Sequence, residues 1–465
     1  MPKAIQDNNL LYNILSPLVQ FAARCHYNRF EVRGLENLPT DGAYIIAPCH
    51  QQALMEPLAV LCFAPKPPVF LARADIFAKP TIRAILTFLK IMPVYRIRDG
   101  QDKLGRNKEI FDRSRDVLLD GYPLCLMAEG RHNNRHHLLK MGKGMFRIAG
   151  ETQLQLGDYP LFIVPTGIDF DEYERPYSNL VVNIGKPIPV QPFMEEYRTN
   201  EPVALNQMRD ALTEALMPLM HDIRNEEHYD EIMTLCNVLN KEMRHREGLR
   251  NSAWNRFLMR QRIARQMDSL SADGGTPEFA TLVEKSRALR SLCNRLHLGE
   301  KLVSEHWSLA ATALSLLGIA LIVSMLILSP FALYLFLFCL ICYPLPFLPT
   351  HLIAKKMIAD PQFRSSVNYG IRLVLSIVYA IVVFIVAVSG GLGWLTGHLC
   401  HLPPLIWGVI AVATLHLEAW MAGPAVNFFR DILSNCRYWL LRLVKRGPMR
   451  KVRELYTGMK TLFNW

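Results

Sequence analysis

The side chains in this sequence best suited to acid–base chemistry are a histidine and a glutamate six positions apart, His50 and Glu56. They lie between an apolar, strand-like run (43–47) and an apolar, helix-like run. A neutral imidazole can accept a proton from a hydroxyl, and a nearby carboxylate can hold its tautomer and stabilise the imidazolium. A bend between the two residues would make them a general base and its orienting acid. Without a bend, Glu56 is a first-turn helix acid and His50 is a loop residue.

A second group of candidates follows the apolar run of "LMAEGRHNN", residues 126–134. Gly130 permits close approach of the backbone to a ligand, and Arg131 provides a forked donor that suits phosphate. The alternative for this Glu129-Gly130-Arg131 segment is an ordinary turn.

Two further strand-like runs end in residues of interest. "IMPVYRIRDG" carries Arg96 and Arg98 at alternate positions, and two guanidinium groups at a buried strand end should meet an anion. One of them could instead form a surface ion pair. "LFIVPTGIDF" contains Val164-Pro165, which would place the following backbone at the rim of a site or simply mark a strand terminus.

The elements that position these groups follow an alternating pattern from Phe30 to about residue 188. Short β-rich runs are separated by helix-like stretches near residues 52–64, 81–90, 103–120 and 142–156. This alternation predicts an α/β domain with a largely buried sheet. Reactive groups collect at strand ends in such sheets, so we expect the candidate residues to meet there.

In this order and spacing, residues 30–190 resemble the glycerolipid acyltransferases of the lysophosphatidate and glycerol-3-phosphate acyltransferase superfamily (PlsC-like). The matching positions are the catalytic histidine His50 with its acidic partner Glu56, the phosphate-binding Arg96, the Glu-Gly block Glu129-Gly130, and the Val-Pro block at Pro165. The fold implied is a mixed sheet flanked by helices.

The sequence departs from the family pattern at two motifs, and both departures bear on which acceptor the site would bind. The usual histidine and aspartate are separated by four residues, whereas five residues separate His50 from Glu56. The usual Glu-Gly-Thr-Arg block is replaced by Glu-Gly-Arg-His, which moves the arginine one place earlier. Its phosphate-binding role could pass to Arg131, His132 or Lys140.

The resemblance implies transfer of a fatty acyl group from a thioester of coenzyme A or acyl carrier protein. The acceptor would be a phosphorylated glycerol, lysophosphatidate first and glycerol 3-phosphate second. His50 would remove the hydroxyl proton, backbone N–H groups near Gly130 would stabilise the oxyanion, and Arg96, Arg98 and Arg131 would hold the phosphate. No cofactor is implied apart from the acyl donor. The alternatives are another lipid acceptor, such as a lysophospholipid or an aminoacyl lipid, and a non-catalytic membrane scaffold.

The sequence patterns that could indicate a metal site or a redox site are weaker than those that indicate acyl transfer. The run Arg131–His137 contains three imidazoles but no acidic or cysteine partner at ligand spacing, so we expect no metal site. Cys339 and Cys342 form a C-x-x-C pattern within an apolar run, where packing against other apolar groups is the expected role. The ten cysteines show no framework spacing and fit a reducing compartment.

Two charge-poor regions in the C-terminal third predict a membrane protein. Residues 306–354 lack Asp, Glu, Lys and Arg, and residues 373–424 contain only Glu418, for which we expect a helix-end role. We predict four spans, at about 307–329, 331–353, 373–397 and 402–422. Two re-entrant hairpins are the alternative, because several prolines interrupt these runs. Flanking Lys and Arg place both termini and the loop 355–372 in the cytoplasm.

The resulting prediction is an integral membrane protein, of the bacterial inner membrane, with a cytosolic catalytic domain. The net charge of +11 fits anionic lipid surfaces or anionic substrates, and no nucleic-acid recognition motif accompanies it. No cleavable signal peptide is visible. The predicted domains are an interfacial N-terminal helix (1–29), the acyltransferase domain (30–195), a helical linker (196–304), the transmembrane region (305–424) and a basic amphipathic tail resting on lipid (425–465). The alternative for the N-terminal helix is an ordinary helix packed against the protein.

Overall fold

The computed structural model describes residues 4–95, 107–127, 129–131, 135–329, 350–389 and 403–463. The chain divides into two compact units. The N-terminal unit comprises the described residues of 1–24, 29–174 and 178–222, and the C-terminal unit comprises those of 25–28, 175–177 and 223–465.

A mixed sheet organises the N-terminal unit. Its strands in the described residues are β1 (Arg29–Arg33), β2 (Ala43–Pro48), β3 (Val69–Arg73), β4 (Ile91–Val94), β5 (Leu124–Cys125), β6 (Leu161–Phe170), β7 (Asn179–Ile184) and β8 (Ile188–Pro189). The order across the sheet is β1-β7-β6-β2-β5-β3-β4, with β8 also paired to β6. Only the two pairs that join β6 to β7 and to β8 are antiparallel. The predicted α/β class with a mixed sheet is therefore confirmed.

Helices cover the sheet and supply the other side of its core. They are α1 (Leu10–His26), α2 (Met55–Phe63), α3 (Pro80–Phe88), α4 (Asn107–Leu119), α5 (Gly144–Leu156), α6 (Met194–Thr199) and α7 (Glu201–Leu216). All six residues of β2 are buried, as expected for a central parallel strand covered on both faces. Ile45 of β2 lies opposite Ile163 of β6 and Leu124 of β5, so the most apolar positions of three strands meet at the centre.

Helix α7 belongs to this unit, although the sequence placed it in a linker beginning at residue 196. Its buried residues recur every three or four positions and join the same core as the sheet: Ala204, Leu205, Met208, Leu212 and Leu216. After α7, the chain therefore passes from the N-terminal unit to the C-terminal unit at 222/223.

The C-terminal unit is helical in the residues that the structure describes. Its helices are α8 (Tyr229–Arg246), α9 (Ala253–Leu270), α10 (Pro277–Leu296), α11 (Lys301–Glu305), α12 (Leu309–Leu328), α13 (Thr350–Met357), α14 (Pro361–Val388), α15 (Pro404–Val444) and α16 (Arg446–Leu462). Met449, Val452 and Met459 of α16 are buried in one core with α8 and α10. Within the predicted lipid-resting tail, the apolar side of α16 therefore packs against protein, whereas residues such as Phe429, Leu433 and Leu443 of α15 are exposed.

One helix in the described part of the chain, Phe363–Val388, is long and apolar enough to cross a membrane. It overlaps the predicted third span. Shorter apolar helices at Leu309–Met325 and Pro404–Leu417 fall within the predicted first and fourth spans. Most of the predicted second span, including Cys339 and Cys342, lies outside the described residues.

Gly167 of β6 offers a test of this packing. A Cβ at this position would lie 2.0 Å from the carbonyl oxygen of Leu219, which is backbone and cannot move aside cheaply. We expect Gly167→Ala to lower the free energy of unfolding by about 1–3 kcal/mol, measured by urea denaturation. Gly144→Ala is the matched control, because no atom lies within 4 Å of its added Cβ. Equal destabilisation by the two substitutions would contradict this account.

Candidate active site

His50 lies just beyond the carboxyl end of β2, whose neighbours in the sheet are β6 and β5. The strands run parallel, so their carboxyl ends share one edge of the sheet, where ligands bind in open α/β folds. The backbone N–H of Cys49 still donates to the carbonyl of Thr166 on β6 (3.1 Å). His50 is thus the second residue beyond a fully buried strand, which fixes its backbone while its side chain keeps 14% of its surface exposed.

The carboxylate of Glu129 anchors the backbone of His50. Its Oε1 accepts from the N–H of His50 (2.7 Å), and its Oε2 accepts from the N–H of Leu139 (2.8 Å). Glu129 is buried, with 6% of its surface exposed. The sequence placed Glu129 among the substrate-binding residues, whereas the structure engages both of its oxygens with backbone. We therefore interpret it as a positioning residue.

Burial also changes the pKa of the Glu129 carboxyl group. Desolvation raises the pKa of Glu129 to about 7, against the opposing influence of its two backbone hydrogen bonds. The neighbouring Glu56 carboxylate also raises this pKa, while His50 lowers it. Glu129 therefore titrates near neutral pH.

Glu56 approaches His50 because the chain bends sharply between them. Ala53, within the bend, has a φ of 33°, which non-glycine residues rarely adopt. The Glu56 Oε1 accepts from the N–H groups of Gln51 (2.7 Å) and Gln52, and its Oε2 lies 3.5 Å from Nδ1 of His50. Glu56 is fully buried in the first turn of α2. The structure thus contains the bend on which the sequence hypothesis depended.

One residue that sequence reasoning missed, Tyr173, supports this loop. The hydroxyl of Tyr173 donates to the side-chain oxygen of Gln51 (2.9 Å), and its ring lies 4.8 Å from that of His136. Nothing in the local sequence signals this contact, because Tyr173 lies beyond β6.

Cys49 is adjacent to His50 but is not placed as a nucleophile. Its Sγ accepts from the N–H of Ile168 (3.2 Å) and donates to the carbonyl of the same residue (3.4 Å). Burial and the nearby Glu129 charge raise the pKa of the Cys49 thiol well above its ordinary value. The thiol therefore links the end of β2 to β6.

The other predicted site residues fall into four groups. Arg131 and Lys140 are exposed, on either side of the segment that supports Glu129. Gly130 has a φ of 63°, and its N–H donates to the carbonyl of Met127 (3.1 Å), so this N–H is engaged within a turn. Pro165 pairs with Ala47 within the sheet. Arg96, Arg98 and His132 lie outside the described residues.

The arrangement around His50 is suited to proton transfer. With Nδ1 facing the Glu56 carboxylate, the imidazole is oriented so that Nε2 can accept a proton from a bound hydroxyl. The carboxylate would stabilise the imidazolium that results.

Residues 29–169 match the family model described as Acyltransferase. No curated protein matches the sequence. Among solved structures, the chain is similar to the 1-acyl-sn-glycerophosphate (LPA) acyltransferase PlsC from Thermotoga maritima, at 17% identity and a TM-score of 0.30. The match covers 43% of this chain and 80% of that one.

The raised pKa of Glu129 predicts a pH dependence of stability. The folded state binds the Glu129 proton more tightly than the unfolded chain, whose carboxyl titrates near 4.5. The raised pKa of Glu129 therefore adds most to the free energy of unfolding below about pH 4.5. This contribution is lost as pH rises to about 7. We expect the difference in unfolding free energy between wild type and Glu129→Gln to shrink by about 3 kcal/mol from pH 4.5 to 8. A pH-independent difference would contradict the assigned titration.

Proposed function

Because the chain carries an acyltransferase-family domain at residues 29–169, we propose that it is a membrane-bound O-acyltransferase of phospholipid synthesis with His50 as its general base. The observation that carries this proposal is the distance of 3.5 Å between Nδ1 of His50 and the buried Glu56 carboxylate. A partly exposed imidazole oriented by a buried acid is what hydroxyl activation needs.

The reaction follows from this geometry. Nε2 of His50 removes the acceptor's hydroxyl proton as the oxygen attacks the thioester carbonyl. Collapse of the tetrahedral intermediate breaks the C–S bond, and the imidazolium returns the proton to the departing thiolate. Coenzyme A or acyl carrier protein therefore leaves as a thiol, and the ester forms without an acyl-enzyme or a cofactor.

Glu129 and Glu56 keep the reacting imidazole in place by different means. Glu129 holds the backbone of His50, and Glu56 holds its side-chain tautomer while fastening the adjacent loop amides. A base held at hydrogen-bond distance from the hydroxyl that it deprotonates gains rate through positioning.

For the acceptor, we propose a phosphorylated glycerol, lysophosphatidate first and glycerol 3-phosphate second. Support comes from the basic side chains of this region: Arg131 and Lys140 are exposed near Glu129, and Arg96 and Arg98 follow β4 in the sequence. Guanidinium groups bind phosphate through paired hydrogen bonds. Binding of the phosphate by these basic side chains would place the acceptor hydroxyl beside His50.

Two other functions stay open to test. A lysophospholipid or an aminoacyl lipid could be the acceptor, because the proposed proton transfer requires only a hydroxyl. A non-catalytic scaffold is the remaining alternative, and it predicts no dependence of any activity on His50.

We propose that the domain works at the cytoplasmic face of the bacterial inner membrane, held there by about four spans. Helix Phe363–Val388 supports this, since its 26 residues extend about 39 Å and the hydrocarbon core needs about 30 Å. The N-terminal unit also exposes apolar side chains on two helices, Leu10, Leu11 and Ile14 on α1 and Ile82 and Ile85 on α3. Contact of these side chains with lipid would bring the site to its substrates.

The decisive experiment measures thioester-dependent acyl transfer by membranes that contain the protein. Lysophosphatidate, glycerol 3-phosphate and a lysophospholipid are supplied separately, each with acyl-CoA or acyl carrier protein as the donor. We expect transfer to lysophosphatidate, with kcat about 10²–10⁴-fold lower in His50→Ala and also lowered in Glu56→Gln. His245→Ala, an exposed histidine on α8, is the matched control and should retain full activity.

Each alternative gives a different result in that assay. Transfer to the lysophospholipid alone, abolished in His50→Ala, would keep the mechanism and replace the acceptor. Activity that survives His50→Ala would refute the general-base assignment. No transfer with any acceptor and donor would favour the scaffold.

Membrane integration is tested by extraction of the same membranes with alkaline carbonate. A chain that spans the bilayer stays in the pellet, because hydrophobic burial in lipid does not depend on ionic contacts. We therefore expect the protein to sediment with the membranes. Release into the supernatant, alongside a surface-bound marker protein, would restrict it to the membrane surface.

A further inference from the structure

A buried cluster of two histidines and an aspartate lies in the N-terminal unit apart from His50 and Glu56. It comprises His136, Asp169 and His221, and none of the three exposes more than 2% of its surface. Asp169 comes from β6, His136 from the segment after Glu129, and His221 from the segment after α7. One ligand atom from each residue lies within 4.8 Å of the other two.

We propose that these three side chains bind a divalent transition metal ion, with zinc as the expected occupant. Two imidazole nitrogens and a carboxylate oxygen form a ligand set that zinc accepts. Nδ1 of His136 lies 3.4 Å from Oδ1 of Asp169. Two ligands of a tetrahedral zinc are about 3.3 Å apart, so this pair already has the required separation.

The competing explanation is a buried ion pair between a protonated His136 and Asp169. That explanation uses one imidazole as the cation, whereas the structure places a second imidazole in the same cluster, with the His221 ring 4.5 Å from that of His136. A metal ion uses both imidazoles as neutral donors and supplies the positive charge that a buried carboxylate requires. The metal therefore accounts for all three residues.

The position of the cluster indicates a structural role. The segment that follows His136 binds elsewhere in the N-terminal unit at three successive residues. Nδ1 of His137 lies 3.3 Å from the Asp222 carboxylate, the N–H of Leu138 donates to the same carboxylate, and the N–H of Leu139 donates to Glu129. An ion at His136 would fasten this segment, and with it the carboxylate that holds the backbone of His50.

A second connection runs through Tyr173. Its ring lies against that of His136, and its hydroxyl donates to the Gln51 side chain next to His50. Both connections end at the catalytic loop, so loss of the ion should loosen the loop without removing any group that reacts.

The sequence alone pointed away from this site. The run Arg131–His137 has imidazoles but lacks an acidic partner at local ligand spacing. The structure supplies that partner from β6 and the second imidazole from beyond α7.

The test is the metal content of the purified full-length protein, expressed with added zinc chloride and measured by mass spectrometry. We expect about one zinc ion per chain in the wild type and a small fraction of that in His221→Ala and Asp169→Asn. His137→Ala is the matched control from the same histidine run and should retain zinc. Wild type without bound metal would overturn the proposal, and loss of zinc from His137→Ala alone would overturn the ligand assignment.

A measurement on the wild type keeps the test independent of whether the variants fold. Removal of the metal with a chelator should lower the thermal unfolding midpoint by about 5–10 °C, and zinc chloride should restore it where magnesium chloride does not. An unchanged midpoint would overturn the proposal. Neither readout uses acyl transfer, so failure of the metal site and failure of the proposed function are distinguishable.

Discussion

The interaction on which the rest of the site depends is the pair of hydrogen bonds that the Glu129 carboxylate accepts from backbone. One comes from His50, beyond β2, and the other from Leu139, in the segment that leads to α5. A carboxylate satisfied in this way can remain at a buried position where water does not reach it. It joins two chain segments that sheet pairing does not connect, and it places the histidine at the open edge of the sheet.

The loop after His50 is held in a conformation that the chain would not choose by itself. Ala53 has a positive φ, a geometry that costs of order 1–3 kcal/mol and persists only where the surroundings require it. Here the requirement comes from both ends, since Glu129 holds the N–H of His50 and Glu56 holds those of Gln51 and Gln52. The bend brings the histidine next to a carboxylate six positions further along the chain.

Local pattern was enough to predict the sheet and the position of His50. Buried parallel strands appear as continuous apolar runs, and β2 is of this kind. The role of Glu129 and the support from Tyr173 could not be predicted, because both depend on contacts between residues far apart in the sequence. The boundary at 222/223 was missed for a similar reason: the apolar face of α7 is visible in the sequence, but the core against which it packs is not.

Helix α15 is a single rod of 41 residues, about 60 Å long, which is twice the thickness of a bilayer's hydrocarbon core. Its first part is apolar, and its last part reaches the helical core of the C-terminal unit through Tyr438. Pro424 interrupts the backbone hydrogen bonding near its midpoint and provides a place to bend. The helix can therefore act as a jointed lever within the C-terminal unit, so that a displacement of its apolar first part would turn the part that carries Tyr438.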